Sequence, residues 1–273
     1  MTRLVDIHDE EPSIPLLIGD AGILNLRIKP LRTSNYWLIP TLSASIELSR
    51  HKRGVHISRI ARLVLETFND EYFDYNLIDS LAEKLLDTHS ETNRARVVLK
   101  ARVAGSESNQ SILYCVVAHR NGIDKRISGS GITVLNACPC ALNVSTTIFG
   151  KPYTHMQKTR IKALIVTRNF VNPLELGLII EKTFTTMKNV LNRLDEYRMI
   201  AQLYDKPLFN EDIVRLTAKL VYENYRDRLR ENDKLRISVV SYETIHTFRV
   251  YSKLSRRICE LDEELALSNN SRK

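Results

Sequence analysis

Residues 96–120 carry the sequence RVVLKARVAGSESNQSILYCVVAHR, which decides the fold. Apolar and polar residues alternate over Arg96–Val103 and again over Ile112–Arg120, the pattern of strands with one buried face. The intervening residues 105–109, Gly-Ser-Glu-Ser-Asn, have the composition of a turn. We interpret Cys115, in the apolar run of the second strand, as buried, because a free cysteine packs as a small hydrophobe. This segment therefore predicts two strands joined by a turn.

Each half of the chain has the same predicted order of elements: a strand, two helices and two more strands. In the first half, a strand at Tyr36–Leu48 and helices at His56–Phe68 and Leu77–Leu86 precede the segment quoted above. In the second half, the predictions are a strand at Arg160–Arg168, a long helix at Leu174–Leu194, a helix capped by Asn210, and strands at Leu235–Tyr242 and Thr247–Leu254. Because helix pairs interrupt the strands, we predict an α+β fold of antiparallel sheets, each with a pair of helices on one face.

Glycine-rich residues 120–131 predict a loop between two halves. The predicted domains are residues 1–125, which include an extended lead-in over residues 1–20, and residues 126–273. Open sheet edges are commonly covered by another subunit, so we expect a homo-oligomer.

The composition is that of a soluble globular protein, with 273 residues, of which 43% are hydrophobic and 26% charged. A net charge of +8 suggests nucleic acid as a partner. The basic residues are dispersed, however, and Val221–Lys234 alternates both signs as a solvated helix would. The one focused basic cluster, His51–Arg59, suits a few phosphates better than a duplex. With no apolar leader and no apolar run long enough to cross a bilayer, we expect a cytoplasmic protein that binds neither nucleic acid nor membrane.

The best candidate for a chemical site is Cys138-Pro139-Cys140, followed by Thr154-His155-Met156-Gln157. Thiolate and imidazole are ligands that borderline divalent metals prefer. Pro139 donates no backbone hydrogen bond and fixes its own φ, so we predict a rigid bend that presents side chains. The motifs of dinucleotide-binding folds, P-loops and serine hydrolases are absent from the sequence, which leaves metal-assisted hydrolysis as the favoured chemistry.

Four further polar residues lie at the ends of predicted elements, where binding groups concentrate. Glu196 follows the long helix, Glu211 opens the next one, and Glu243 and His246 lie between the last two strands. Each also has an ordinary structural interpretation: a solvated charge for Glu196, a helix-dipole partner for Glu211, and a turn residue for His246.

Taken together, the ordered segments resemble the type IB GTP cyclohydrolases, most closely their archaeal MptA branch. The segments that carry the resemblance are Arg53-Gly54-Val55-His56-Ile57-Ser58-Arg59, Ala137-Cys138-Pro139-Cys140, Thr154-His155-Met156-Gln157, Asp195-Glu196, Phe209-Asn210-Glu211-Asp212 and Ser241-Tyr242-Glu243-Thr244-Ile245-His246. The resemblance implies tandem tunnelling-fold modules that assemble into oligomeric barrels.

The resemblance also implies roles for individual residues. It places a metal on Cys138, His155, Glu196 and His246, with Cys138, His155 and Glu211 as the catalytic set. It assigns Glu243 to the purine edge, where guanine offers two adjacent N–H donors to a carboxylate. Lys52, Arg53, His56 and Arg59 are expected to contact the triphosphate, by their charge and clustering. The expected metal is iron(II), with zinc(II) or manganese(II) as alternatives.

The implied reaction opens the guanine ring of GTP by attack of an activated water at C8, with loss of formate. In the archaeal branch the product is 7,8-dihydroneopterin 2′,3′-cyclic phosphate; the bacterial branch gives dihydroneopterin triphosphate. Two departures from the bacterial pattern are a longer interval between Cys138 and His155, and Lys158 in place of arginine, so Cys140 remains an alternative thiolate ligand. A basic nucleic-acid-binding protein with a structural metal, and a nitrile-reducing relative with a cysteine nucleophile, are the alternatives from other classes.

Overall fold

The computed structural model describes residues 6–270, with side chains described as far as Leu267. These residues form two compact units. Unit 1 comprises residues up to 104 together with 113–127, and unit 2 comprises residues 105–112 and those from 128 onward. The predicted lead-in is therefore described from Asp6; residues 1–5 lie outside the described part of the chain.

Unit 1 contains an antiparallel sheet and two helices. Its elements are β1 (Ile18–Arg27), β2 (Leu31–Arg32), β3 (Trp37–Leu48), α1 (Ile57–Thr67), α2 (Asn76–Thr88), β4 (Arg94–Val103), most of β5 (Ser111–His119) and the first part of β6 (Gly122–Ala137). The strand order is β1-β3-β4-β5, and β3 pairs antiparallel with both β1 and β4. Alternate residues of β3 are buried, including Leu38 and Leu42, and Ile60 of α1 and Leu81 of α2 join the same core.

Unit 2 repeats this plan and adds helices. Its elements are the remainder of β6, α3 (Pro139–Phe149), β7 (Met156–Thr167), α4 (Pro173–Thr183), α5 (Arg193–Asp205), α6 (Asn210–Tyr225), β8 (Lys234–Tyr242), β9 (Arg249–Arg257) and α7 (Ile258–Asn270). The strand order is β6-β7-β8-β9, and β8 pairs antiparallel with both β7 and β9. Helix α6 packs on β8 and β9, and its Ile213 and Val221 are buried with Ile161 of β7 and Ile237 of β8.

Helix α4 approaches the sheet of unit 2 closely because Gly177 has no side chain. A Cβ atom at this position would overlap the side chains of Gln110 and Ser130. The Nε2 atom of Gln110 donates to the carbonyl oxygen of Leu174, 3.1 Å away. At its N-terminus, α4 is capped by Asn172, whose side chain accepts from the backbone of Leu174.

Helix α7 was not predicted from the sequence and is anchored by an ion pair. Ile258 and Leu261 are buried in the core of unit 2. Asp262 accepts from Arg226 at 2.6 Å (Nε) and 2.9 Å (Nη2), and also from the hydroxyl of Tyr222. The hydrogen bond from Arg226 is the main reason that the pKa of Asp262 is lowered.

Several predicted elements are confirmed. Strands β4 and β5 lie where the quoted segment predicts them, and the side chain of Cys115 is 1% exposed. Helices α1 and α2 match the predicted helix pair, and the strand pairings reported for β1–β4 and β7–β9 are antiparallel. Among residues 6–270, none of the helices combines the length and apolar composition that crossing a bilayer requires.

The predicted long helix at 174–194 is wrong, since α4 ends at Thr183 and α5 begins at Arg193. The backbone amide of Leu135 donates to the carbonyl of Thr185, and Thr186 forms a bridge with Val134, so this stretch pairs with β6 instead of continuing the helix. Two β-branched threonines at this point favour the extended form. Glu196 therefore lies in the first turn of α5, not past the end of a helix.

Three further predictions need correction. The loop predicted at 120–131 is largely strand β6, whose glycines sit inside the sheet. The helix predicted at Val221–Lys234 ends at Tyr225 and gives way to a short 3-10 turn before β8. Helix α3 begins where a rigid bend was predicted at Cys138-Pro139-Cys140; Pro139 at its first position and Gly150 after its end, with φ of 63°, are the signals that mark it.

Candidate functional site

Cys138 and His155 are brought together at the end of β6 and the start of β7. The backbone amide of Cys138 donates to the carbonyl oxygen of His155 at 3.1 Å, and Thr154 Oγ1 donates to the carbonyl oxygen of Cys138 at 2.8 Å. Cys138 is the residue before α3, so the helix N-terminus begins at the site. Both side chains are half-buried, whereas Cys140, the second residue of α3, is exposed. The local fold therefore favours Cys138 as the thiol that shares a site with His155.

The loop at residues 243–248, between β8 and β9, reaches the same place. Thr244 Oγ1 lies 3.4 Å from His155 Nδ1. His246, in the same loop, is exposed, and its ring stacks on Phe248 with centroids 4.9 Å apart and planes 8° from parallel. The contact between Thr244 and His155 places the segment that carries Glu243 and His246 beside His155, as the resemblance implies.

Gln157 and Glu243 both carry hydrogen-bond acceptors and lie next to the last paired residues of β7 and β8, at the edge of this site. The last pair between β7 and β8 is Lys158 with Tyr242, so these two residues come next along the two strands. Gln157 is 9% exposed, and its Oε1 atom has no hydrogen-bond donor within the described residues. A buried acceptor without a donor costs about 1–3 kcal/mol. The position therefore suits a ligand that brings N–H groups.

A buried polar chain fixes the elements behind the site. Thr159 Oγ1 lies 2.7 Å from Ser241 Oγ, which donates to Asn210 Oδ1 at 2.6 Å, and Asn210 Nδ2 donates to the carbonyl of Val250 at 3.1 Å. The chain joins β7, β8, β9 and the start of α6, with Thr159 and Ser241 fully buried. Sequence reasoning missed these residues, although a polar residue on the inward face of an apolar strand was a usable signal.

Glu211 follows Asn210 in the first turn of α6 and is exposed. Its Oε1 atom accepts from Ser252 Oγ at 2.9 Å. The hydrogen bonds of the buried Asn210 amide fix the start of α6 and thereby the position of Glu211. The sequence suggested Glu211 either as a catalytic group or as a helix-dipole partner.

Among the described residues, Glu196 makes no hydrogen bond or ion pair with Cys138 or His155. It is exposed in the first turn of α5, while α5 touches the site through Tyr204, whose hydroxyl lies 3.4 Å from the carbonyl of Thr154. The interval from Glu196 to Tyr204 spans about 12 Å of helix. Within residues 6–270, no three of the four predicted ligands have donor atoms all within 4.8 Å of one another. The donor types fit a borderline divalent metal, and the ligand set stays a prediction.

The predicted phosphate contacts lie in unit 1, and three of them, Lys52, Arg53 and His56, have carboxylate partners. Lys52 Nζ lies 2.9 Å from Asp9 and 3.3 Å from Glu91, and Arg53 lies 2.6 Å from Glu10. The hydrogen bond to Asp9 is the main reason that the pKa of Lys52 is raised. A cavity of about 160 Å³ is lined by three of the predicted residues together with carboxylates: Lys52, His56, Arg59, Asp9 and Glu91. Asp9 and Glu10, in the acidic lead-in, thus form ion pairs with side chains of the basic cluster.

Comparison with known proteins finds relatives over most of the chain. The family described as "Type I GTP cyclohydrolase folE2" matches residues 4–252. The protein named GTP cyclohydrolase MptA of Methanocaldococcus jannaschii is 24% identical, over 95% of this chain and 97% of that protein. The protein of the same name from Pyrococcus furiosus is 25% identical, over 92% of this chain and 98% of that protein.

Solved structures with the same fold are found among urate oxidases. The crystal structure of a uricase from Bacillus fastidious aligns with a TM-score of 0.56 and 8% identity, over 93% of this chain and 97% of that one. A urate oxidase mutant from Bacillus sp. TB-90 gives a TM-score of 0.56 and 9% identity, over 89% of this chain and 99% of that one. At such low identity the likeness concerns the fold alone.

Proposed function

The chain belongs to the type I GTP cyclohydrolase folE2 family and is a GTP cyclohydrolase of the MptA type, and we propose that it converts GTP and one water into 7,8-dihydroneopterin 2′,3′-cyclic phosphate, formate and diphosphate. The full-length relatives named MptA support this product over the bacterial alternative, which retains the triphosphate.

The acceptor pair formed by Glu243 and Gln157 is the observation that carries the substrate assignment. Guanine presents N1–H and N2–H on one edge, and a carboxylate beside a buried amide oxygen accepts from both. The unsatisfied Oε1 atom of Gln157 gains a donor when this edge arrives. The purine is thereby held against the segment that carries His155.

We propose that Cys138, His155, Glu196 and His246 hold a divalent metal, with iron(II) the expected ion. When bound, such an ion supplies an activated water for attack at C8 of guanine. Beside it, Glu211 is proposed to accept and return protons, and its carboxylate is oriented by Ser252. We propose that Glu243 holds GTP with C8 directed towards these residues.

The triphosphate is proposed to bind Lys52, Arg53, His56 and Arg59. Asp9 and Glu10 already neutralise two of these side chains, so a triphosphate must displace the acidic segment. We further propose that tandem tunnelling-fold modules assemble into oligomeric barrels and that assembly completes the site. The support is that, within residues 6–270 of one chain, no three of the four predicted ligands have donor atoms all within 4.8 Å of one another.

Anaerobic incubation of the full-length protein with iron(II) and GTP, followed by mass spectrometry, tests the reaction. Formate, diphosphate and the cyclic phosphate are expected in equal amounts. Formation of formate together with dihydroneopterin triphosphate would show instead that the activity is of the bacterial type. No ring opening with any of iron(II), zinc(II) or manganese(II) would overturn the proposed activity. Light scattering tests assembly, because a monomer would contradict a site completed by oligomerisation.

A further inference from the structure

A compact group of three side chains in unit 1 has the chemistry of a metal site. Asp6 precedes the 3-10 turn Ile7–Asp9, and its Oδ1 atom lies 2.8 Å from His8 Nδ1. Its second oxygen, Oδ2, lies 3.6 Å from His56 Nδ1. One donor atom from each of the three residues lies within 4.8 Å of the other two. Within residues 6–270, it is the only group of three or more such residues with this geometry.

The separations match the edges of a coordination shell. With bonds of about 2.1 Å, neighbouring ligand atoms are roughly 3.0 Å apart in an octahedron and roughly 3.4 Å apart in a tetrahedron. The two separations, 2.8 Å from Asp6 Oδ1 to His8 and 3.6 Å from Asp6 Oδ2 to His56, lie close to these values and involve the two different oxygens of one carboxylate. An ion would be admitted by turning the side chains so that each presents one donor atom, since one such atom from each residue already lies within 4.8 Å of the other two.

The surroundings hold both imidazoles in place. The other ring nitrogen of His56, Nε2, lies 3.6 Å from Asp9, and Asp9 is itself held by Lys52 at 2.9 Å. A carboxylate close to the ring nitrogen that does not bind the metal orients the histidine and makes its other nitrogen a better ligand. The ring of His8 lies against Gly54, where a Cβ atom would stand 3.0 Å from His8 Cδ2. The side chain of His56 is only 14% exposed.

We propose that Asp6, His8 and His56 bind a divalent first-row transition metal, with Zn²⁺ as its representative. Two imidazoles and one carboxylate suit this class of ion, whereas Mg²⁺ and Ca²⁺ prefer oxygen ligands throughout. The ion cross-links the acidic segment to the loop that precedes α1, so this ion and the triphosphate proposed to bind His56 exclude each other. Without it, ion pairs between the same residues hold the segment less firmly.

Equilibrium dialysis of metal-stripped, tag-free, full-length protein against Zn²⁺ tests the site without reference to catalysis. His8→Ala should bind one equivalent fewer than the wild type. His51→Ala is the matched control, because His51 lies in the same loop, has a side chain 67% exposed and is outside the group. Equal stoichiometry and affinity in the wild type and His8→Ala would overturn the proposal. The three residues would then form histidine–aspartate ion pairs without a metal.

Hydrogen exchange locates the ion directly. At Zn²⁺ 100 times above its Kd, local opening of residues 6–10 and 51–56 should slow by about 100-fold in the wild type. The effect should be lost in Asp6→Asn and reduced in Gly54→Ala, where the added methyl group displaces the ring of His8. Unchanged exchange in these segments, with Zn²⁺ bound elsewhere in the chain, would also overturn the proposal. Neither readout depends on the reaction with GTP, so failure here and failure of the proposed activity are distinguishable.

Discussion

The amide of Cys138 and the carbonyl oxygen of His155 are joined by a backbone hydrogen bond of 3.1 Å. The bond ties the end of β6 to the start of β7 and leaves both side chains free for other contacts. Thr154 adds a second link through its hydroxyl. A thiol and an imidazole are therefore held near each other by main chain, so their side chains can be replaced without loss of the local fold.

Replacement of Cys138 by alanine should remove bound metal and activity together. The thiolate is a principal ligand for a borderline ion, and a lost ligand lowers metal affinity strongly. Metal content by atomic emission and turnover of GTP are the measurements. The matched control is Cys140→Ala, which changes an exposed thiol two residues away and should retain metal. Full metal content in Cys138→Ala, with loss in Cys140→Ala, would assign the ligand to Cys140 instead.

Glu243→Gln should raise the KM for GTP by about 10-fold to 100-fold, or about 1.4–2.8 kcal/mol, because a charged acceptor for the purine edge becomes neutral. Bound metal should stay unchanged. Steady-state kinetics and metal analysis on the same preparation separate the two effects. Glu223→Gln, on the exposed side of α6, is the control. An unaltered KM would argue against a purine-holding role.

Asn210→Ala should lower the free energy of unfolding by about 2–3 kcal/mol. The amide is 5% exposed, and its loss leaves the hydroxyl of Ser241 and the carbonyl of Val250 without their partner. Denaturant titration followed by circular dichroism measures the change. The exposed Asn224, whose amide bonds only within α6, should tolerate alanine with a change under about 0.5 kcal/mol. Equal effects in the two variants would contradict the importance of the buried chain.

Asp262→Asn should destabilise the protein by about 1 kcal/mol at neutral pH, and the difference should vanish in acid. The pKa of Asp262 is lowered from its ordinary value of 3.8 by the hydrogen bond from Arg226. A carboxyl group whose pKa is lowered in the folded state stabilises the fold fully above pH 3.8. This contribution is lost as the pH falls through the folded-state pKa. Thermal unfolding of both proteins between pH 2 and pH 7 checks the sign. A difference that persists at the lowest pH would contradict an electrostatic origin.

The sequence predicts those elements whose pattern has a single explanation. Alternation identified β4 and β5, and helical spacing identified α1 and α2. The same reasoning failed at residues 184–192, where an apolar period of 3.6 continued through a segment that pairs with β6. The local sequence pattern does not show which strand lies nearby, and pairing with β6 determined the conformation of this stretch.

The candidate site could be predicted in part. Motif order indicated Cys138, His155 and the loop at 243–248, which the structure places together. The buried chain through Thr159 and Ser241 was not predicted, because its members are distant in sequence and chemically ordinary. Likewise, the pairing of the basic cluster with Asp9 and Glu10 depends on where the lead-in folds back, which charge composition does not specify.

Ser241 also has a consequence for how this part of the chain tolerates insertions. Side chains along a strand alternate between two faces, so sliding β8 by one residue would turn the hydroxyl of Ser241 away from Thr159 and Asn210. Such a slip would leave two polar groups, Thr159 Oγ1 and Asn210 Oδ1, without the hydroxyl of Ser241 in an apolar interior. Changes of length in this hairpin are therefore confined to the connection at 243–248, which can be lengthened or shortened while the strands keep their alignment.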